Sequence, residues 1–246
     1  MCIRDRTVLE ALRGRYIKRK TTMANASTTG FGLRAVMNVG NTPATSGQSE
    51  YKIQTAPGVA SNKGDPMNVQ DAGNQGFIQD VAFTTLDNGG VGGSAWSTAG
   101  GNAEPPCIGV FNGAFFINSN GKPTFSNNVV ASQATSIDYN TGSNDIIAFV
   151  NDNPMQEYVV KADAQLAATV AGAQAVLGAA NAMNMNNYTA TDNKDGQSIS
   201  TLDVGSASTT ARFTLVRNAN DPENKDLTAA GANIIVQFLP SSMQYN

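Results

Sequence analysis

The sequence contains no histidine and only two cysteines, Cys2 and Cys107, and these absences remove many kinds of catalytic and metal site. Histidine is the commonest general base and the usual zinc ligand, and every Ser–His–Asp or Cys–His arrangement needs it. No apolar run reaches the length of about 18 residues that a membrane-spanning helix needs. An enzyme built from this chain would have to use carboxylates, lysine or tyrosine alone, and we expect no enzyme, cofactor or metal.

Charged residues are also scarce, at 14% of the chain, whereas ordinary soluble proteins carry about 25%. Hydrophobic residues make up 41%, and Gly, Ala, Ser, Thr, Asn and Gln fill the difference. A surface of this kind is solvated by hydroxyl and amide groups. It suits a protein that is packed among neighbours.

The first 22 residues differ from the rest, because they hold seven of the 16 Lys and Arg and only two of the 19 acids. Residues 23–246 therefore carry 9 basic and 17 acidic side chains, a net charge of −8. The opening MCIRDR resembles a translated sequencing adapter, and Met23 is a better natural start. We interpret residues 1–22 as a non-native or disordered extension; a genuine basic arm could bind nucleic acid. Without Cys2 no intrachain disulfide forms, which predicts synthesis in a reducing cytoplasm.

Short apolar runs between Gly, Pro and Asn turns predict ten strands. Several of these runs alternate apolar and polar residues, as half-buried strands do; Phe213 and Leu215, for example, fall on one face. The predicted strands are Leu33–Val39, Tyr51–Gln54, Met67–Gln70, Phe77–Phe83, Ile108–Ile117, Asp145–Val150, Glu157–Lys161, Ser198–Val204, Ala211–Arg217 and Asn233–Leu239. The phenylalanines expected in the core are Phe31, Phe111, Phe115, Phe149, Phe213 and Phe238.

Three polar loops and one Ala-rich segment complete the pattern. The loops are Asp87–Ala103, Asn118–Asn144 and Asn181–Gln197, and Ala164–Ala180 predicts a short helix. The fold class is therefore mainly β, a barrel- or sandwich-like body with long polar loops and at most one short helix. Residues 23–246 form one β-rich domain in this interpretation, with a soft subdivision near residue 144.

The carboxylates stand in turn contexts. Asp65, Asp152 and Asp221 each lie beside a proline within one or two residues, and such side chains bond the local backbone. A glycosidase needs two carboxylates that face each other across a cleft, which sequence does not reveal. Thr191–Gly196 resembles a calcium loop, but it begins with threonine, and Leu202 stands where that loop needs glutamate.

Four residues are candidates for contact with a partner. Arg34, Arg212 and Arg217 are among the few basic residues of an acidic body, and arginine is favoured at interfaces. Trp96 lies in the first polar loop, where an aromatic side chain can anchor an interface. The alternatives are ordinary surface ion pairs for the arginines and packing onto the chain's own core for Trp96. The arginines form no basic patch, so nucleic-acid binding by the body is not expected.

Several segments resemble a family of virion structural proteins of marine tailed phages. Met23–Arg34 is similar to the family's GFGLRPV opening, and Asn62–Met67 is similar to its GDPV turn and strand. Ile108–Phe116, followed by Gly121–Asn127, is similar to a GVFxGxxY strand, and Asp145–Pro154 is similar to DIIAFVxDDP. The segments occur in the same order along the chain, which is more specific than any one of them.

The resemblance implies a decoration (cement) protein on the capsid surface of the virion, bound to the major capsid protein and to copies of itself, for example as a trimer. The other virion roles that stay open are a vertex or tail appendage and the major capsid protein, although the latter needs a long spine helix. A glycan-active enzyme with two carboxylates and a bacterial surface-layer or adhesin module are the alternatives from other classes. A membrane partner is not expected.

Overall fold

The structure is a computed structural model that describes residues 24–39, 42–43, 48–53, 60–69, 76–80, 107–118, 120–129, 146–177, 182–186, 196–204, 212–240 and 243. Residues 1–22 and the loop 87–103, which contains Trp96, lie outside the described residues. The interpretation of the N-terminal extension and the role of Trp96 therefore stay predictions.

The fold is mainly β, with a closed five-stranded barrel and additional sheets, and this confirms the fold class predicted from the sequence. Within the described residues there is one helix, α1 (Val170–Val176). The strands are β1 (Arg34–Asn38), β2 (Thr42–Pro43), β3 (Ser49–Ile53), β4 (Ser61–Asn62), β5 (Pro66–Val69), β6 (Ile78–Asp80), β7 (Cys107–Ile117), β8 (Pro123–Ser126), β9 (Asn128–Val129), β10 (Ile146–Asn151), β11 (Gln156–Lys161), β12 (Ala182–Asn186), β13 (Thr201–Asp203), β14 (Phe213–Asn218) and β15 (Asn233–Phe238).

The barrel is a ring of β10, β3, β6, β5 and β7, in which β7 also pairs with β10. Every pairing in the ring is antiparallel except that of β3 with β6, where Ile53 lies beside Ile78. Closure of the ring pairs backbone groups that an open sheet leaves exposed at its edges. Strand β8 extends β7 beyond the ring, and β4 pairs with β9 in a separate two-stranded sheet.

The barrel interior is filled by apolar side chains that alternate with outward-facing ones. In β10, Ile146, Ala148 and Val150 are buried, whereas Ile147 and Phe149 are half-buried on the outer face. Full burial of one large apolar side chain contributes about 1.5–3 kcal/mol. The buried residues of this core are Ile53, Met67, Val69, Ile78, Ile108, Phe111, Ala114, Phe116, Val129, Ile146, Ala148 and Val150.

A seven-stranded antiparallel sheet has the order β13-β12-β14-β15-β11-β1-β2 and a core of its own. The ring centroid of Phe238 lies 5.7 Å from that of Tyr158 and 4.6 Å from that of Phe213. Burial raises the pKa of Tyr158, and its hydroxyl donates a hydrogen bond to the carbonyl of Asn151 at 3.1 Å. The helix α1 contributes Ala173 to the same core.

The long strand β7 joins the two cores. Cys107 and Val110 belong to the core of the seven-stranded sheet, whereas Ile108 and Phe111 belong to the barrel core. One strand thus forms a wall that both share, so the barrel and the sheet pack directly against each other.

A tight turn at residues 62–65 connects three parts of the chain. Gly64 donates its backbone N–H to the carbonyl of Phe111 at 2.8 Å and accepts from the N–H of Leu33 at 2.9 Å. Its φ of +100° lies in the region that glycine adopts without steric cost. Lys63 in the same turn bonds to Ser198 through its carbonyl, at 2.9 Å. The GDP segment singled out in the sequence is therefore a structural junction.

Each of the ten predicted strands overlaps an observed strand, but the prediction of core phenylalanines was half wrong. Three of the six are buried: Phe111, Phe213 and Phe238. The other three are only half-buried: Phe31, Phe115 and Phe149. The last two occupy outward positions of β7 and β10, because apolar residues stand on both faces of these strands.

Candidate interaction surfaces

Three neighbouring phenylalanines, here called the aromatic patch, lie on the outer face of β7, β8 and β10: Phe125 is exposed, and Phe115 and Phe149 are half-buried. The ring centroid of Phe125 lies 4.9 Å from that of Phe115 and 6.4 Å from that of Phe149. Phe125 is 75% exposed, more than any other large apolar side chain among the described residues. The ring of Phe125 is therefore tilted against that of Phe115 and stacked on that of Phe149, and it is exposed in the part of the chain that the structure describes.

Strand register explains how three distant positions come together. Phe115 of β7 lies opposite Phe125 of β8 on one side and Ile147 of β10 on the other. Phe149 of β10 lies opposite Gly113 of β7, so no β7 side chain separates its ring from that of Phe125. Cross-strand pairs of this kind contribute roughly 0.2–1 kcal/mol each.

Charged residues border the aromatic patch on the neighbouring strand β3. Glu50 is paired with Phe149 and Lys52 with Ile147, and both charged residues are exposed. An apolar centre with a polar rim is the usual arrangement at protein–protein interfaces. Contiguous exposed apolar surface marks interaction sites more often than isolated apolar side chains do.

A second surface feature is a cavity of about 490 Å³ between β1, β7 and the turn at residues 62–65. Its described lining holds two cationic side chains, Arg34 and Lys63, and no aspartate or glutamate. The remaining lining residues are Leu33, Ala35, Gln48, Val110, Phe111, Asn112, Asn151, Gln156 and Gln197. Its volume falls within the range of about 300–1,000 Å³ that is typical of ligand sites.

Arg34, predicted as a partner contact, lies at this cavity and is exposed. Its guanidinium carbon stands 4.5 Å above the ring of Phe31, and the ammonium of Lys161 is 5.8 Å from the same ring. Cation–π contacts of this kind contribute about 0.5–1 kcal/mol at exposed sites and fix the guanidinium plane.

Arg217, also predicted as a partner contact, forms an ion pair within the chain. Its two terminal nitrogens lie 3.0 Å and 2.5 Å from the carboxylate oxygens of Glu157, and one nitrogen is 3.1 Å from the sulfur of Met37. The hydrogen bonds that Arg217 donates to Glu157 raise the pKa of its guanidinium. The side chain of Glu157 is only 5% exposed, so Arg217 neutralises a nearly buried carboxylate.

Arg212 does not lie at the surface, and this corrects its prediction as a partner contact. The residue is 3% exposed, and its guanidinium donates a hydrogen bond to the sulfur of Cys107 at 3.2 Å. Arg212 directly precedes β14, where the chain enters the core of the seven-stranded sheet. A side chain at that position is covered by its own fold.

Of the three carboxylates predicted to bond the local backbone, Asp65 and Asp221 do so, whereas Asp152 accepts a hydrogen bond from the hydroxyl of Tyr51 at 2.8 Å. Asp65 accepts from the N–H of Asn62 at 2.8 Å. A hydrogen bond from the N–H of Glu223, with side-chain bonds from Asn224 and Asn233, lowers the pKa of Asp221. Within the described ranges, no three Cys, Asp or Glu residues group closely enough to hold a metal ion.

Residues 24–33 form an extended strap that crosses the body. The side-chain amide nitrogen of Asn25 donates to the carbonyls of Asp226, Ala229 and Ala230, at 2.9, 3.2 and 2.9 Å. The ammonium of Lys161, a residue only 3% exposed, donates to the carbonyl of Ser27 at 2.9 Å. Burial lowers the pKa of Lys161, and the carboxylate of Asp221 partly offsets that effect. The strap is thus held by hydrogen bonds of the half-buried Asn25 and the buried Lys161.

Comparison with known proteins adds no relative: no family model, no curated protein and no solved structure matches this chain. Among the described residues, no helix is long and apolar enough to cross a membrane.

Proposed function

We propose that this chain is a structural protein of a tailed-phage particle, a decoration protein that binds the major capsid protein on the outside of the head. The observation that carries the proposal is the aromatic patch, because Phe125 is 75% exposed on β8, the strand that extends the barrel beside β7. The similarity of five ordered sequence segments to marine phage virion proteins supports the same role. The low content of charged residues, 14%, suits a surface that is covered in an assembly.

In this proposal each subunit binds the shell through a small apolar surface. Many copies over the lattice together stabilise the shell. Burial of one phenylalanine ring contributes about 1.5–3 kcal/mol, which is too little for tight binding by an isolated site. Copies that also contact one another, for example as a trimer, bind as a unit and gain avidity without any new contact to the shell. Barrel strands β7 and β10 carry Phe115 and Phe149, and β8, which is paired with β7, carries Phe125. The strand pairing orders the three rings before binding, which lowers the entropic cost.

Replacement of Phe125 by alanine is expected to weaken binding to phage heads about tenfold or more, because one fully buried ring is worth about 1.5–3 kcal/mol and each 1.4 kcal/mol is a factor of ten. The measurement is co-sedimentation of purified protein with heads that were assembled without it. The matched control is Val170→Ala, which truncates a side chain that is 72% exposed on α1, away from the patch. Equal loss of binding in both variants, or no loss in either, would rule out the aromatic patch as the contact.

A further inference from the structure

The cavity beside Arg34 has the composition of an anion site. Within the part of the chain that the structure describes, neither Arg34 nor Lys63 has a carboxylate within ion-pair distance. This is unusual in a body where 17 acidic residues outnumber 9 basic ones. Two cationic side chains that line one cavity and lack an internal counter-ion create a positive potential there, which favours a bound anion.

The backbone of Lys63 and the guanidinium of Arg34 are held in place before any ligand binds. Lys63 receives two hydrogen bonds at its carbonyl, from Ser198 and from the amide of Gln197, both at 2.9 Å. Its N–H donates to the carbonyls of Asn127 and Gly196. The guanidinium carbon of Arg34 lies 4.5 Å from the centre of the Phe31 ring, and this contact positions the cation beside the cavity. A ligand that binds Arg34 therefore loses less entropy to ordering of the site.

The side-chain amides of Gln197 and Gln156, which line the cavity, already form hydrogen bonds within the chain. The side-chain nitrogen of Gln197 donates to the carbonyls of Phe31 and Lys63, and that of Gln156 donates to the carbonyls of Met37 and Glu157. Gln156 also carries a side-chain oxygen that accepts no hydrogen bond from the described residues. The site thus combines cationic donors with an amide acceptor, which matches a carboxylate carried on a peptide with its own N–H groups.

We propose that this cavity binds the carboxylate of an aspartate or glutamate in a polypeptide segment of a partner protein. The net charge of −8 on residues 23–246 repels a polyanion such as a nucleic acid at long range, whereas a single carboxylate in a neutral peptide meets only the local positive potential. The identification of the partner as the major capsid protein rests on the proposed function, whereas the carboxylate-binding chemistry of the site is independent of it.

The test is a titration of the full-length ¹⁵N-labelled protein at low ionic strength, followed by NMR signals of Arg34 and of the side-chain amides of Asn112 and Gln156. The probes are the capped tripeptides Gly-Glu-Gly and Gly-Gln-Gly and inorganic phosphate. We expect saturable shifts with the glutamate peptide, with a Kd on the order of 1 mM, and binding of the glutamine peptide at least about tenfold weaker. Equal shifts with both peptides, no shifts, or phosphate binding about tenfold tighter than the glutamate peptide would each overturn the proposal.

Variants locate the binding to this cavity. Arg34→Gln combined with Lys63→Gln is expected to abolish the shifts, whereas Lys122→Gln, an exposed lysine outside the cavity, is expected to bind as the parent does. Asn112→Asp places a competing carboxylate in the cavity and keeps both cations. This variant is expected to bind the glutamate peptide about tenfold more weakly. Because it keeps both cationic side chains, weaker binding cannot be caused by unfolding after the loss of a cation. Unchanged binding in both cavity variants would contradict the assignment.

Because the titration uses the isolated protein, its outcome is independent of the particle. If the isolated protein does not bind the peptide but is found on phage heads, only the carboxylate site is overturned. Peptide binding by a protein that is absent from heads would overturn the proposed function alone.

Discussion

Replacement of Phe238 by alanine is expected to lower the free energy of unfolding by about 3–5 kcal/mol, a large part of the stability of an ordinary domain. Phe238 is 2% exposed, and its ring contacts those of Tyr158 and Phe213 at centroid distances of 5.7 and 4.6 Å. Truncation removes the buried ring and leaves a cavity that strands β14, β15 and β11 cannot close, since they are fixed by ladder hydrogen bonds. Urea unfolding followed by circular dichroism measures the change.

Phe125→Ala is the matched control, because it makes the same substitution at a side chain that is 75% exposed. We expect a change below about 0.5 kcal/mol for this variant. If both variants lose the same free energy, then Phe125 is a core residue and the aromatic patch is not a surface. A stable Phe125→Ala protein also shows that any loss of binding to heads is not caused by unfolding.

Gly30→Ala is expected to destabilise the protein by about 3 kcal/mol, at the upper end of the usual cost of overpacking. A Cβ atom at Gly30 would lie 2.0 Å from the carbonyl oxygen of Ile199 and 2.6 Å from that of Ser200. Both obstacles are backbone atoms, so no rotamer change relieves the clash. The strap of residues 24–33 would have to move away from the body.

Gly76→Ala is the control for that prediction, since a Cβ atom at Gly76 meets nothing within 4 Å. We expect this variant to be neutral or slightly stabilising, because alanine reduces the conformational freedom of the unfolded chain. In Gly30→Ala, limited proteolysis is expected to cut within residues 24–33 much faster than in the parent. Equal unfolding midpoints for the two variants would mean that the strap does not lie against residues 199–200.

The positions of the main strands follow from the sequence because their apolar alternation is strong. Strands that lie in polar stretches were predicted as loops. Pro123–Ser126 and Asn128–Val129 lie inside the predicted loop 118–144, and Ala182–Asn186 lies inside the predicted loop 181–197. β8 and β9 have few apolar residues, and β12 (AMNMN) lies within an otherwise polar stretch. Tertiary pairing determines their conformation: β8 is ordered by β7, and β12 by β13 and β14. Proline is tolerated at the first position of a strand and on edge strands, as at Pro123 of β8. This proline can be interpreted only once the pairing of β8 with β7 is known.

The helix was predicted too long, and the reason is local. The composition of Ala164–Ala180 favours helix, but α1 covers only Val170–Val176. Thr169 caps it by accepting a hydrogen bond from the N–H of Gly172 at 3.1 Å, and the chain before it bonds to other segments, as Leu166 does to Leu227. The threonine is a start signal that the alanine-rich composition obscures.

The candidate sites were predicted less completely than the fold, because they combine residues that are far apart in the chain. Arg34 was identified as a contact residue, but its cavity neighbours Lys63 and Gln156 were not, since only the paired strands bring them together. Phe125 is a single aromatic in a polar stretch, and its exposure depends on the outward face of β8. Arg212 shows the converse error, in that a charged side chain was assumed to be at the surface.

The central claim is that this chain decorates the head of a phage particle, and the most direct test is its copy number in purified particles relative to the major capsid protein, by quantitative mass spectrometry. The account predicts a near-equimolar ratio, because a decoration protein covers the lattice. A ratio of only a few per cent would contradict decoration and place the protein at a vertex or on the tail. Absence from purified particles would contradict a structural role in the virion altogether.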